Sequence, residues 1–585
     1  MSVILYAISR KGEVVPDRSV IDKLNALILP AGVQHNPPKT TLLAGSLVVE
    51  FFPNDYAIYL GNKALFGLHN SHTQDADEAG SELPDGVHLS IEATPEKALI
   101  RTDTIGSEVV WYFMDQEWVY VSTSQRLIIA MKGSFQADPE AISWLLGSKC
   151  LPPDRAWDPE IHAMRLDASL VIDRREWRKE HQWQTYSYPE KDVLGNDYHA
   201  ILDQALMKTM ERVHMAPGDY IGLSGGADSR MMLYYLRSLF GPDRKMQAMT
   251  FGVNRDLLDE PLSELHLSRR LSQEQKLDLE HHFLIEEGDR YVNPDIWEKT
   301  LKIFDGRLAM LNNVVSFEHF FLKGCRSMLV GDQPFGRDVV NSENHVIRKQ
   351  GIFLRSFFKA GTDADKAILG MIPDRLPETY LKRDAETLSA WRDRLHQEFH
   401  LPYYLQPYTL ARSHYFESQR PLIFGSVTRL ARQLTDAQRN NKKIVKELLS
   451  MHGPELPYAV DKSLKKFLKK QQARMALDLH TQEVLQNGVG KGVLPDEVLK
   501  ALIAWNGTPL QGGQAQVTSG RMPRNILGSI VRKMVPVAQK PKQAPADAMA
   551  ERTAFLELDY TDLRFKAASI LKIHNILEKD SRALK

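Results

Sequence analysis

Over its first 185 or so residues the chain sets apolar against polar positions in short runs: Val3 to Ile8, Gly45 to Phe51, Tyr56 to Leu60, Leu99 to Arg101, Val109 to Phe113 and Trp118 to Val121. Each run stops at Gly, Asn, Asp or Pro. A period of two is the repeat of a strand with one face buried, so this half is predicted to be β-rich. Asp138 to Leu146 has helical spacing instead, with Pro139 just inside its start. Beyond Gly195 the texture changes. Residues 198–215 predict an amphipathic helix, Tyr220 to Leu223 a buried strand, Arg230 to Leu239 a helix, Met246 to Phe251 a strand and Leu262 to Leu271 a helix. Strands alternating with helices predict a parallel, doubly wound sheet that takes ligands at the carboxyl ends of its strands. From about residue 345 the pattern is largely helical. Segments 506–521, rich in Gly, Gln, Thr and Ser, and 535–547, rich in Pro, Ala and Lys, predict mobile loops.

Composition narrows the class more than the chemistry. A chain of 585 residues that is 43% hydrophobic and 25% charged has room for two to four domains. Its formal net charge of zero favours neither nucleic acid nor an anionic membrane. No apolar run reaches the length of a membrane span. Met1 to Ser9 lacks the basic start and cleavage site of a signal peptide. Two cysteines, Cys150 and Cys325, build neither a disulfide framework nor a zinc cluster, so a cytoplasmic location is expected.

The candidate chemistry lies between the first predicted strand of the second half and the helix after it, in Leu223-Ser224-Gly225-Gly226-Ala227-Asp228-Ser229. Two adjacent glycines let backbone N–H groups turn inward on an anion, and the following helix points its positive end at the same place. Ser224 and Ser229 add hydroxyl donors. Asp228 would repel a phosphate, so a carboxylate here argues for a bridging Mg²⁺. The chain contains no G-x-x-x-x-G-K-[ST] run, the other common phosphate loop.

This heptad resembles the SGGxDS loop of the ATP pyrophosphatases, which cleave ATP between the α and β phosphates and make acyl-adenylates. Asp138-Pro139-Glu140-Ala141, Trp144-Leu145-Leu146-Gly147, Pro152, Arg155 and Leu166 resemble the end of a glutaminase-like domain, so most of the chain is similar to asparagine synthetase and its relatives. The resemblance implies an α/β protein. Its N-terminal part, residues 1–185, would be a degenerate, Ntn-hydrolase-like β-rich sandwich. Residues 195–585 would form an adenine nucleotide α-hydrolase-like synthetase domain, a doubly wound parallel sheet with a helical extension. The family releases ammonia from glutamine with an amino-terminal cysteine, whereas this chain begins Met1-Ser2-Val3. A serine hydroxyl needs stronger base activation than a thiolate, so the first domain is read as a scaffold and the nitrogen nucleophile as an amine on the substrate.

Leu329-Val330-Gly331-Asp332-Gln333-Pro334-Phe335-Gly336 resembles the family's second metal loop. The resemblance implies that Asp228 and Asp332 hold Mg²⁺ against the triphosphate of ATP, with Leu223, Ser224, Gly225, Gly226, Asp228, Ser229, Phe251 and Gly331 around the nucleotide. Lys443-Ile444-Val445-Lys446-Glu447-Leu448-Leu449 resembles the K-x-x-[RK]-x-x-L helix, which makes Lys443 a catalytic candidate. Lys462, eight residues after Pro454, stands where a family lysine meets the departing pyrophosphate; its other reading is the start of a solvated face with Lys465, Lys466, Lys469 and Lys470. Glu417 and Arg420-Pro421 fall in the segment E-x-R-x-P-F-L-D at the substrate end of the cleft, where Glu417 orients the nucleophile or forms a buried pair with Arg420. His281-His282 are read as structural, because neighbours on a strand face opposite ways.

The implied activity is an ATP-dependent, AMP-forming amide ligase. Leu329 stands where the β-lactam synthetases carry a tyrosine, and the chain then looks most like the lasso-peptide cyclases, which join a peptide's amino terminus to an Asp or Glu side chain. The implied partners are a precursor peptide or other amine and carboxylate substrate, a leader protease and a leader-recognition protein, with no nucleic acid and no membrane span. Three other readings stay open: a β-lactam synthetase-like cyclase, an ammonia-dependent asparagine synthetase, and a catalytically degenerate ATP-binding scaffold.

Overall fold

The period-two runs of the first half pair into two six-stranded antiparallel sheets. The computed structural model describes residues 2–69, 85–252, 255–284, 287, 293–309, 314–458, 477–505, 556 and 558–585. One sheet orders His162–Ala163, Trp111–Met114, Trp118–Ser122, Val3–Ser9, Ser46–Phe51 and Lys39–Leu43; the other orders Arg178–Trp183, Ala168–Asp173, Lys97–Thr102, Gly86–Ala93, Lys63–His69 and Ala57–Leu60. Alternation along Val3–Ser9 decides which residue faces what. Ile4, Tyr6 and Ile8 enter the core between the sheets with Phe66, Leu89, Ile100 and Leu170. Val3, Leu5 and Ala7 face outward onto helices, among Leu127, Leu145 and Trp157.

The second half carries a five-stranded parallel sheet ordered Asp278–Phe283, Gln247–Gly252, Asp219–Gly222, Ser327–Leu329 and Glu417–Gln419. It is covered on both sides. Ile221, Leu223, Ala248 and Leu329 pack with the helices Tyr198–Met210, Ala227–Phe240 and Lys443–His452. Tyr220, Met249 and Met328 face Phe317 and Phe320 of the helix Val314–Leu322. The chain is therefore mixed α/β, antiparallel first and parallel afterwards. The predicted helix over 198–215 ends earlier, at Met210. Asp219 reaches back there to accept from the Ala216 amide at 2.7 Å, which turns residues 216–219 into the strand. The helix after the Ser-Gly-Gly loop starts at Ala227, not Arg230, so Asp228 and Ser229 lie in its first turn.

Sequence order does not predict where the last helix goes. Tyr560–Asp580 packs on helices Gln125–Lys132 and Pro139–Ser148 of the first half, sharing a core with Leu127, Leu145 and Leu499. Arg126 Nε meets Asp580 Oδ2 at 2.7 Å, and Lys566 Nζ donates to the carbonyls of Leu146 and Gly147 at 2.9 Å. Segments 506–521 and 535–547 lie outside the described residues. Among the described residues, no helix is long and apolar enough to cross a membrane.

Candidate functional site

The loop leaves the sheet as an extension of its central strand: Leu223 N donates to Met249 O at 2.9 Å, one residue beyond the ladder. The chain then turns sharply. Gly225 has φ +70°, and a Cβ there would stand 2.7 Å from Leu267 Cβ, so both conformation and space call for glycine. Gly226 opens the helix Ala227–Phe240, and no side chain caps that helix. The Ser224 and Ser229 hydroxyls lie 3.2 Å apart, and Ser224 is exposed. An uncapped helix terminus beside two hydroxyls is a cradle for an anion.

The second loop touches the first at its backbone. A Cβ on Gly331 would lie 3.0 Å from the Asp228 carbonyl carbon and 3.1 Å from Ser229 N, so any side chain there would have to push the first loop's backbone aside. Asp332 follows directly. Both oxygens of Asp228 accept from Lys442 Nζ, at 2.8 and 2.9 Å. The K-x-x-[RK]-x-x-L spacing begins one residue after Lys442 and does not point to it. Asn441 (φ 58°, ψ 24°) and Lys442 (φ 53°, ψ 38°) are both left-handed, which delays the helix to Lys443 and turns the Lys442 side chain onto the loop. Lys443 opens that helix, its ammonium 3.7 Å from Glu447 Oε1 one turn on.

Cations crowd the two carboxylates. Arg420, nearly fully buried, reaches within 3.7 Å of Asp332 and 3.6 Å of Glu108 in the first half, and donates to the Ser107 carbonyl. Burial pushes the Arg412 guanidinium down to about 10, with Asp332 holding it up. Burial likewise lowers Arg337, opposed first by Asp228 and also by Asp393 and Asp332. The Nε of Arg337 is buried with no hydrogen-bond partner among the described residues. Two carboxylates amid Lys442, Arg337, Arg412 and Arg420 suit a divalent cation together with a polyanion: the oxygens fit a hard metal, and the unused guanidinium donor fits a phosphate oxygen.

Glu417 lies apart from the two loops. It is level with Ser327, which is level with Asp219, at the amino end of the parallel sheet. That is four residues short of the loop, about 13 Å along the strand. Its carboxylate accepts instead from Asn54 Nδ2 at 2.9 Å. Arg420, three residues on, is the group of that segment that reaches Asp332. Phe251 is the last residue but one of its strand, at the carboxyl end of the sheet, edge-on to Phe317 with ring centres 6.2 Å apart. Lys462 lies outside the described residues. The chain running toward it is fastened to the loop: Arg230 donates to the carbonyls of Leu456 at 2.6 Å, Pro457 at 2.7 Å and Gly225 at 3.2 Å. Arg230 stands directly after the heptad, yet its role is invisible without the fold. In the first half, Ser2 is buried and donates from Oγ to Glu50 Oε1 at 2.7 Å.

No protein-family model matches this chain, and no curated protein does. Several solved structures are similar at low scores, three of them as follows. The U34-tRNA thiolase NcsA from Methanococcus maripaludis with its [4Fe-4S] cluster is 13% identical over 55% of this chain and 84% of that one, with a TM-score of 0.21. An allosteric regulatory enzyme of purine biosynthesis is 8% identical over 48% of this chain and 80% of that one, with a TM-score of 0.20. The glutamine phosphoribosylpyrophosphate amidotransferase from B. subtilis, complexed with ADP and GMP, is 8% identical over 52% of this chain and 70% of that one, with a TM-score of 0.16. At such scores the chemistry of this chain rests on its own residues.

Proposed function

We propose that this chain is an ATP-dependent, AMP-forming amide ligase that adenylates a carboxylate and joins it to an amine, acting on a lasso-type precursor peptide to close a macrolactam. The observation that supports it most is the open cradle of Leu223–Ser229, with Asp228 in the first helical turn and in contact with the Gly331-Asp332 loop. Bound Mg²⁺ would supply charge neutralisation on the triphosphate, with Asp228 and Asp332 as its protein oxygens. Ser224, Ser229 and the first helical amides bind phosphate oxygens. Lys442 leaves Asp228 for the phosphates and, with Arg337, meets the charge that grows on pyrophosphate as the substrate carboxylate attacks the α-phosphorus. The substrate amine then attacks the acyl-adenylate and AMP departs. Ser2, tied to Glu50, supplies no ammonia from glutamine in this reading, so the amine belongs to the substrate. A peptide's own amino terminus meets that need. Leu329 is buried in the sheet and does no acid–base work, which argues against the β-lactam route.

The test uses the full chain, ATP, Mg²⁺ and a core peptide with a free amino terminus and an internal Asp or Glu. The expected products are AMP, pyrophosphate and a peptide lighter by one water, and Asp228→Asn should abolish all three. ADP and phosphate as products would refute the ligase chemistry. AMP with hydroxylamine trapping of the peptide's acyl group, but no cyclised peptide, would uphold adenylation and refute the macrolactam alone.

A further inference from the structure

We propose that His282, Glu287 and His319 bind one divalent transition-metal ion of the zinc class, separate from the carboxylates of the phosphate loops. The adjacent histidines of the strand Asp278–Phe283 divide as their alternation requires. His281 lies parallel to Phe283 at 5.8 Å, while His282 turns toward the helix Val314–Leu322 and lies over the ring of His319 at 4.2 Å. Glu287 closes the group, its Oε1 2.9 Å from His282 Nε2. One ligand atom from each of the three residues lies within 4.8 Å of the other two. Tetrahedral zinc with bonds of about 2.0–2.1 Å holds its ligands about 3.3 Å apart, so small side-chain shifts complete the set.

The surroundings fit an ion. His282 is only 3% exposed, and Ser316 Oγ lies 2.9 Å from its Nδ1. With Ser316 accepting from Nδ1–H, the Nε2 lone pair faces a carboxylate oxygen at 2.9 Å, an arrangement that a cation relieves. Glu280, two residues along the same strand face, places Oε1 3.3 Å from His319 Nε2, where it orients that ring or supplies a fourth ligand. Two imidazoles and a carboxylate form a donor set suited to zinc, not to Mg²⁺. Across the ladder, His282 pairs with Phe251, whose ring packs on Phe317 of the helix that carries His319. The ion would tie strand to helix at the ligand side of the sheet. The competing arrangement is an ordinary ion pair between protonated His282 and Glu287, with no metal.

The purified full chain, stripped by a chelator, is titrated with Zn²⁺ against a chromophoric competitor in excess Mg²⁺. One equivalent should bind. His282→Gln, His319→Gln and Glu287→Gln should each weaken it by about 100-fold or more, and Ser316→Ala by about 10-fold. The double variant Asp228→Asn/Asp332→Asn should still take one equivalent. Co²⁺ bound in place of Zn²⁺ should give the intense visible bands of a tetrahedral site, a readout independent of whether the histidine variants fold. Absence of a stoichiometric ion in the wild-type chain, or undiminished binding by the folded Glu287→Gln variant, would overturn the assignment and leave the ion pair. Neither result depends on the ligase chemistry.

Discussion

Lys442 shows at the scale of one residue how magnitudes separate a binding role from a stabilising one. Its pair with Asp228 is more than a quarter exposed on both sides, and such pairs contribute about 0–1 kcal/mol. The left-handed backbone of Lys442 that delivers it costs about 1–2 kcal/mol, Asn441 before it being a residue that adopts this region readily. The arrangement loses stability on balance, so its use lies in what the ammonium meets at the loop. Lys442→Met is therefore expected to lower turnover about 100-fold while leaving the unfolding temperature almost unchanged. Lys443→Met, which breaks only an exposed i, i+4 contact worth about 0.3–0.5 kcal/mol, should change turnover little. Pyrophosphate-release kinetics on both variants check this. A larger loss from Lys443→Met would restore the lysine that its motif suggested.

At the scale of the element, the strand, loop and helix of 219–240 work as one unit whose tightest point is Gly225. An alanine there must adopt φ +70° and place its Cβ 2.7 Å from that of Leu267 on the helix Glu264–Glu274. The left-handed backbone costs about 1–2 kcal/mol and the overpacking about 1–3 kcal/mol. Gly226 makes the internal control: its φ is −76°, and its Cβ would meet nothing tighter than Ser224 Oγ at 3.3 Å. Thermal unfolding and nucleotide binding should both suffer in Gly225→Ala, with Gly226→Ala close to wild type in stability. Equal stability of the two variants would mean that the loop tolerates a different turn from the one described.

Across the whole molecule, Asp305 joins the halves. It accepts from Ser124 Oγ at 2.5 Å, from Gln125 N at 2.7 Å and from Arg126 N at 3.2 Å, capping from the second half a helix of the first that lacks its own side-chain cap. Burial lifts its pKa from 3.8 to about 6, against the pull of Ser124, the Gln125 amide and the charges of Arg126 and Arg307. In that window the folded protein holds a proton that the unfolded chain has released. The contribution of this group to stability is thus fully present below about pH 4 and is lost as pH rises through about 6. A shift of two units is worth about 3 kcal/mol. Melting temperatures from pH 4.5 to 7.5 should show the wild type losing ground to Asp305→Asn as pH rises. A constant gap between them would rule out titration at this position.

The alternation of apolar residues and the turn chemistry of a glycine pair act over two to four neighbouring residues, and these features by themselves determined the β-rich first half, the strand-loop-helix around Ser224 and the parallel sheet. Register and chain path depend on partners far away in sequence, and there only the tertiary structure decided. A three-residue strand paired level with Ser327, and through it with Asp219, puts Glu417 at the amino end of the sheet and Arg420 beside Asp332. Two left-handed residues, which no periodicity announces, bring Lys442 onto Asp228. The last helix crosses back to the first half because its apolar face completes a core that the sheet alone leaves open. His282 and His319, 37 residues apart, become neighbours because a strand and a helix on one face of the sheet bring them there. Local sterics are written residue by residue, whereas side chains from separate elements converge only when burial of the whole core brings those elements together.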